Sequence, residues 1–279
     1  MSRRQFLARM TAAGIGLAGF AIAASPVAGE IITTPTEGLT IKEGKVPSGH
    51  FQVPIYEARP SSPGKYPVVL VIPEIFGMHE HIKDVTRRFA KEGFLGITFE
   101  PYAREGGVLH LTDIAAVRKI VDAVPDAQVM ADLDSLIAYA SRHPAGRADR
   151  IGVTGFCRGG LYTLLFAGHS REVKASVVWY GQLRPTKTPG LRTEGPLDII
   201  AKIHSPILGL YGEADLGIPV ADVKEIEAGL KAAGKIAEFI LYPGAPHAFY
   251  ADYRPSYREG AAKDAWARCI AWFNKYLKG

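Results

Sequence analysis

Short β-branched runs alternate with segments of helical periodicity along most of this chain, and no other feature limits its possible folds as strongly. Tyr66–Ile72 (YPVVLVI) is a β-branched run bounded by prolines, which suits a strand buried on both faces. Ile82, Val85, Phe89 and Ala90 then recur at helical spacing and stop at Gly93. Phe94–Phe99, Arg150–Thr154, Val173–Trp179, Pro206–Tyr211 and Ile236–Tyr242 read as further strands, with residues 51–58 as a weakly alternating opening strand. Ala127–Arg142, Gly159–Gly168, Val220–Ala233 and Ser256–Leu277 read as helices between and after them. This order predicts an α/β fold: a mostly parallel, doubly wound sheet with helices on both faces.

The chain has 279 residues, 47% of them hydrophobic and 22% charged, which suffices for a sizeable core and excludes a disordered or disulfide-scaffold class. No repeat or low-complexity tract divides residues 51–279, read as one domain, with residues 30–50 as an amino-terminal extension. The formal charge of +5 would suggest an anionic partner, but Arg3, Arg4 and Arg9 supply three of those charges from a leader that holds no acid. The remainder of the chain is close to neutral, so no nucleic-acid partner is implied. Ser2-Arg3-Arg4-Gln5-Phe6-Leu7 resembles the twin-arginine export signature, and the uncharged, Ala- and Gly-rich stretch from Met10 to Ala28 is weakly apolar for a membrane span. Residues 1–29 therefore read as a signal peptide, cleaved near 23 or 29, and the mature protein as periplasmic, without stable membrane association, and monomeric. A retained amino-terminal anchor is the alternative.

Gly155-Phe156-Cys157-Arg158-Gly159-Gly160 lies between a strand and a helix. This is the G-x-nucleophile-x-G elbow with cysteine as the nucleophile. Glycines two residues either side let neighbouring backbone approach, and the following helix aims its free N–H groups, beginning with that of Arg158, at the same point. Those groups supply an oxyanion donor and a dipole that favours thiolate. A P-loop would need a lysine and a hydroxyl residue that are absent. Asp215 follows the strand Pro206–Tyr211 and His247 the strand after it, in the order acid then histidine, so His247 can move the thiol proton while Asp215 orients the ring. Glu213, still on the strand end, competes for the acid role. Cys269 belongs to an apolar stripe with Ala262, Trp266, Ile270, Phe273 and Leu277 and reads as a core thiol.

With these segments placed, the chain resembles the dienelactone hydrolase (carboxymethylenebutenolidase) family from about Val53 to Leu277. GFCRGG, YGEAD and YPGAPHAF carry the likeness, together with Pro73-Glu74-Ile75-Phe76-Gly77, the His81–Ala90 helix and Tyr102-Ala103-Arg104. The resemblance implies an α/β-hydrolase fold in which Glu74 holds the resting thiol and helps deprotonate it. It also implies that the Ile75 N–H is the second oxyanion donor and that Arg104, beside Tyr102, clamps a substrate carboxylate. The family's type enzyme has a second carboxylate-binding arginine four residues after the histidine, where this chain has Ala251; Arg254 could reach the same space. The segment Gly181–His204 lacks periodicity and reads as a lid or binding loop, with Arg184, Lys187 and Arg192 as candidate pocket charges.

His79-Glu80-His81 looks metal-like, but H-E-x-x-H is absent, so neither metal nor cofactor is expected. Trp179, Tyr180, Tyr102 and Phe249 are candidate pocket aromatics. The resulting expectation is an exported hydrolase that opens a small carboxylate-bearing lactone or enol ester through Cys157, Asp215 and His247. The alternatives are a non-catalytic binder on the same fold, a broader carboxylesterase, or a thiol redox protein. No C-x-x-C supports the last.

Overall fold

A computed structural model describes residues 32–279. The leader, its cleavage sites and the export reading fall outside those residues. Eight strands form one sheet: β1 (Leu39–Ser48), β2 (Phe51–Pro60), β3 (Tyr66–Ile72), β4 (Leu95–Phe99), β5 (Gly146–Phe156), β6 (Val173–Trp179), β7 (Ile207–Gly212) and β8 (Ala237–Tyr242). Their order is β1-β2-β4-β3-β5-β6-β7-β8, antiparallel through β2 and parallel from β4 to β8. The helices are α1 (Glu80–Lys91), α2 (Ile114–Ala123), α3 (Asp126–Arg142), α4 (Arg158–His169), α5 (Val220–Ala232) and α6 (Glu259–Phe273). None of them is long and apolar enough to cross a membrane.

Burial explains the strand composition. Val68, Val69, Leu70, Val71 and Ile72 of β3 are all buried, as a parallel strand covered by helices on both faces requires. Cys269 sits fully buried on α6 among Ala262, Ile270 and Phe273, and both it and Cys157 are free thiols.

Two segments depart from the sequence expectation. Residues 39–48, expected to be an extension, pair along their whole length with β2 and form the sheet's edge. Only Val46 and Ser48 of this strand are buried, so its hydrophobic alternation is faint. The second departure is α2, a helix that the sequence reading did not anticipate. It is capped by Asp113, whose side chain accepts the Ala116 N–H, and it buries only Val117 and Val121.

Candidate active site

Five parallel strands end at one edge of the sheet, and each delivers a side chain there. Glu74 follows β3, Cys157 follows β5, Tyr180 follows β6, Asp215 follows β7 and His247 follows β8. This is the carboxyl edge, where open parallel sheets place their sites.

Cys157 has φ 56° and ψ −113°, a conformation costing a non-glycine residue on the order of 1–3 kcal/mol. Its N–H donates to the Trp179 carbonyl and its carbonyl accepts from Gly160 and Leu161, which fixes the turn. The flanking glycines are required by close approach. A Cβ on Gly155 would lie 2.2 Å from the Gly159 carbonyl oxygen, and one on Gly159 would lie 2.3 Å from that of Ile72. The thiol therefore stands at the head of α4 on tightly packed backbone.

His247 Nδ1 lies 2.6 Å from Asp215 Oδ2, while Asp215 Oδ1 accepts the Gly217 N–H at 2.9 Å. Asp215 is buried and Glu213 is exposed, which selects between the two acids. Burial works against a charged His247, but the Cys157 sulfur and the Asp215 carboxylate outweigh it and push the imidazole up to about 10. With Nδ1 committed to Asp215, Nε2 is left for its hydrogen bond with Cys157. Tyr180 packs edge-on against the ring at 5.2 Å. The set can shuttle one proton between sulfur and imidazole.

Glu74 is fully buried and forms no hydrogen bond with the thiol among the described residues. Its Oε1 accepts hydrogen bonds from His79 Nε2 at 3.0 Å and from the Tyr253 hydroxyl. Burial would raise this carboxyl, but the His79 bond and the charges of Arg254 and His81 hold it down to about 2. Arg254 lies within electrostatic range of Glu74 and Cys157, with its guanidinium 5.7 Å from the Phe76 ring centre. His79 and His81, the metal-like pair, are turned to Glu74 and Asp252 respectively. The Ile75 N–H donates to no acceptor among the described residues. Together with the Arg158 N–H that opens α4, it can serve an oxyanion.

A cavity of about 810 Å³ opens over Cys157 and His247. Ile75, Tyr180, Gln182, Thr186, Thr188 and Leu216 are among its walls, so the segment after Gly181 does contribute to the site. Six sequence assignments lie elsewhere. Arg104 is absent from the wall because Asp132, fully buried, binds both of its terminal nitrogens at 2.7 Å; a third contact goes to the Ser48 carbonyl. A guanidinium closed this way has no fork left for a substrate carboxylate. Tyr102 is buried behind the wall with its hydroxyl unbonded among the described residues. Trp179 and Phe249 are core aromatics. Arg184 and Lys187 face outward, paired with Asp222, Glu225 and Asp198.

The residues that the sequence reading missed are Arg118 and Asp122, both on α2 and both in the cavity wall, and the His79–Tyr253 pair around Glu74. Periodicity over residues 114–123 could have found the first two. Nothing local marks Tyr253, which is distant in sequence from Glu74.

The family model for the dienelactone hydrolase family matches residues 53–277. A protein of Methylorubrum extorquens, provisionally named carboxymethylenebutenolidase, is 48% identical over 97% of this chain and 94% of its own length. An Escherichia coli K12 protein with the same provisional name is 46% identical over 92% of this chain and 95% of its own. The crystal structure of a provisionally assigned dienelactone hydrolase from Klebsiella pneumoniae superposes with a TM-score of 0.82 at 46% identity, covering 85% of this chain and 99% of that one. With an α/β-hydrolase sheet, a strained cysteine elbow and these relatives, the chain belongs to the dienelactone hydrolase family and is a carboxylic ester hydrolase.

Proposed function

We propose that the protein is a cysteine hydrolase that opens a lactone or enol ester. Cys157 Sγ attacks the acyl carbon while the N–H groups of Ile75 and Arg158 stabilise the oxyanion. The ring C–O bond breaks, and His247 gives its proton to the departing enolate oxygen. Water then adds to the thioester with His247 as base, the C–S bond breaks, and the thiolate returns to its imidazolium partner. Asp215 keeps the ring in the tautomer and orientation that both steps need. A thiolate expels good leaving groups such as enolates and is poorly matched to amides, so weak or no peptide cleavage is expected.

Glu74 is a positioning and electrostatic group in this reading, an ion held beside Arg254. The twin-arginine-like leader supports export to the periplasm, where the enzyme would act on small molecules reaching that compartment.

The observation that carries the proposal is the continuous Asp215–His247–Cys157 contact at a strained turn on the head of α4. The test is hydrolysis of cis- and trans-dienelactone and of an aryl acetate by wild type and Cys157→Ala. Turnover of lactone and aryl ester that vanishes in the variant supports the thiol mechanism. Rates that survive the substitution would discard it.

A further inference from the structure

The cavity wall carries three arginines, and their partners set them apart. Arg192 is closed: its Nε and Nη2 bind Asp126 at 2.7–3.1 Å, and it is buried. Arg158 is half closed. Its Nη2 contacts Asp122, while Nη1 is buried and meets no acceptor among the described residues. The side chain as a whole is only 12% exposed. Arg118 is exposed, lies one helical turn before Asp122 on α2, and has no ion pair or hydrogen bond among the described residues. Asp122 occupies only one nitrogen of the Arg158 guanidinium, and the side chain lines the cavity, so Arg158 keeps charge and donor capacity for a ligand's oxygen there.

The net charge of this corner also selects the ligand. Arg118 and Arg158 against Asp122 leave one positive charge, which matches a single carboxylate better than a phosphate dianion. Arg158 directly follows Cys157 in the chain and both line the same cavity, so the anion it holds belongs to the same small molecule as the carbonyl under attack. Tyr102, whose unbonded hydroxyl lies within electrostatic range of Arg158, backs the same corner from the core.

We propose that the Arg158 side chain, with Arg118 as outer partner and Asp122 as a competing anion, is the carboxylate subsite of this enzyme, in place of Arg104. The Arg158 side chain then selects substrates while its backbone N–H serves the oxyanion. Asp122 keeps the guanidinium oriented and weakens its hold on the product acid. This inference rests on the hydrolase reading, and it makes carboxylate preference a property of α2 and the residue after the nucleophile.

The experiment compares dienelactone with its methyl ester, taking the ratio of kcat/KM for acid over ester so that any effect on the oxyanion donor cancels. The expected result is that Arg158→Leu lowers this ratio about tenfold or more, mainly through KM for the acid, the loss typical of a charge-assisted contact. Arg158→Lys recovers part of it, Arg118→Leu lowers it by about threefold, and Asp122→Asn raises it. Arg104→Leu leaves it unmoved. A ratio that ignores Arg158 and Arg118 but collapses in Arg104→Leu would overturn the assignment, as would wild type that takes the methyl ester as readily as the acid. An aryl acetate run alongside separates the two readings. Its hydrolysis, lost in Cys157→Ala but intact in wild type, keeps the hydrolase while the subsite falls. If Arg158→Leu fails to fold, Asp122→Asn and Arg118→Leu decide, since the proposal requires them to move the ratio in opposite directions.

Discussion

Two histidine–carboxylate pairs sit close together at the carboxyl edge of the sheet, and they behave in opposite ways. His247 with Asp215 faces a cavity and a sulfur, and its imidazole is pushed up to about 10. His79 with Glu74 is sealed in the core; burial dominates and lowers its imidazole below the ordinary histidine range despite the carboxylate beside it. The first pair stores a mobile proton. The second is a neutral imidazole donating its Nε2–H to a carboxylate that remains ionised. A carboxylate partner alone does not distinguish them, because each histidine has one within hydrogen-bond distance. Two things differ: His247 also faces the Cys157 sulfur, which helps to raise it, and keeps 37% of its side chain exposed, whereas His79 faces no sulfur and keeps only 1%. The sulfur partner and an open face let a charged ring exist and react; without them the same kind of pair is a scaffold.

The largest effect that would break this comparison is on turnover. His247→Ala should reduce kcat by about a thousandfold or more, as removal of a triad base does. His79→Ala should reduce it by about ten- to a hundredfold while lowering the urea midpoint, since it leaves Glu74 short of a donor. Equal kinetic losses in the two variants would mean that both histidines handle protons.

A smaller effect concerns pH. His247 is raised, so its charged form contributes stability fully below about 6.5, and that contribution is lost as pH rises through about 10. The alkaline limb of kcat/KM should therefore fall near 10, and Asp215→Asn should bring it down by about one pH unit or more. Glu74 has the opposite sign. Its carboxyl is depressed to about 2, so its contribution is present above the ordinary glutamate value of 4.5 and fades as pH falls toward 2. Acid unfolding of wild type and Glu74→Gln, followed between about pH 5 and 2, should converge; parallel curves would contradict an ionised Glu74.

Legibility in the sequence divides along the same line. The elbow, Asp215 and His247 are each local to a strand end, so motif, spacing and chain order sufficed to place them. The parallel strands were legible because full burial demands unbroken β-branched runs. Edge strand β1 was not, because exposure on one side dilutes its pattern. Tyr253 and Asp132 were beyond reach for a different reason. Each acts on a residue far away in the chain, and a tyrosine or aspartate carries no local mark of the partner it will meet. Arg104 shows the consequence: its local motif carries no sign of the buried Asp132 on α3, which decides where its charge is spent.

The smallest expected effect lies at a third buried carboxylate. Glu100, after β4, accepts the Met78 and Tyr102 N–H groups at 2.8 and 3.2 Å, and so holds the turn that carries Glu74 and Ile75. It packs against Gly77, where φ is +67° and a Cβ would lie 2.3 Å from Glu100 Oε2. No cation forms an ion pair with it among the described residues, and burial outweighs the two backbone donors, raising its carboxyl to about 7. Like His247, then, it binds its proton more tightly when folded. Its contribution is complete below pH 4.5 and declines until about pH 7. Glu100→Gln cannot satisfy both N–H groups in the same way, because its amide has one acceptor oxygen, so it should be destabilised at every pH. That deficit should shrink between about pH 5 and 8 as wild type loses its own advantage. Urea unfolding of the two proteins at both pH values reads this change, with aryl-ester kcat expected to shift by no more than about threefold. A deficit that instead grows with pH would show that Glu100 is an ion at neutral pH. Burial without a cation would then be insufficient to neutralise a carboxylate in this core, and the lowering of His79 would need a cause other than its burial.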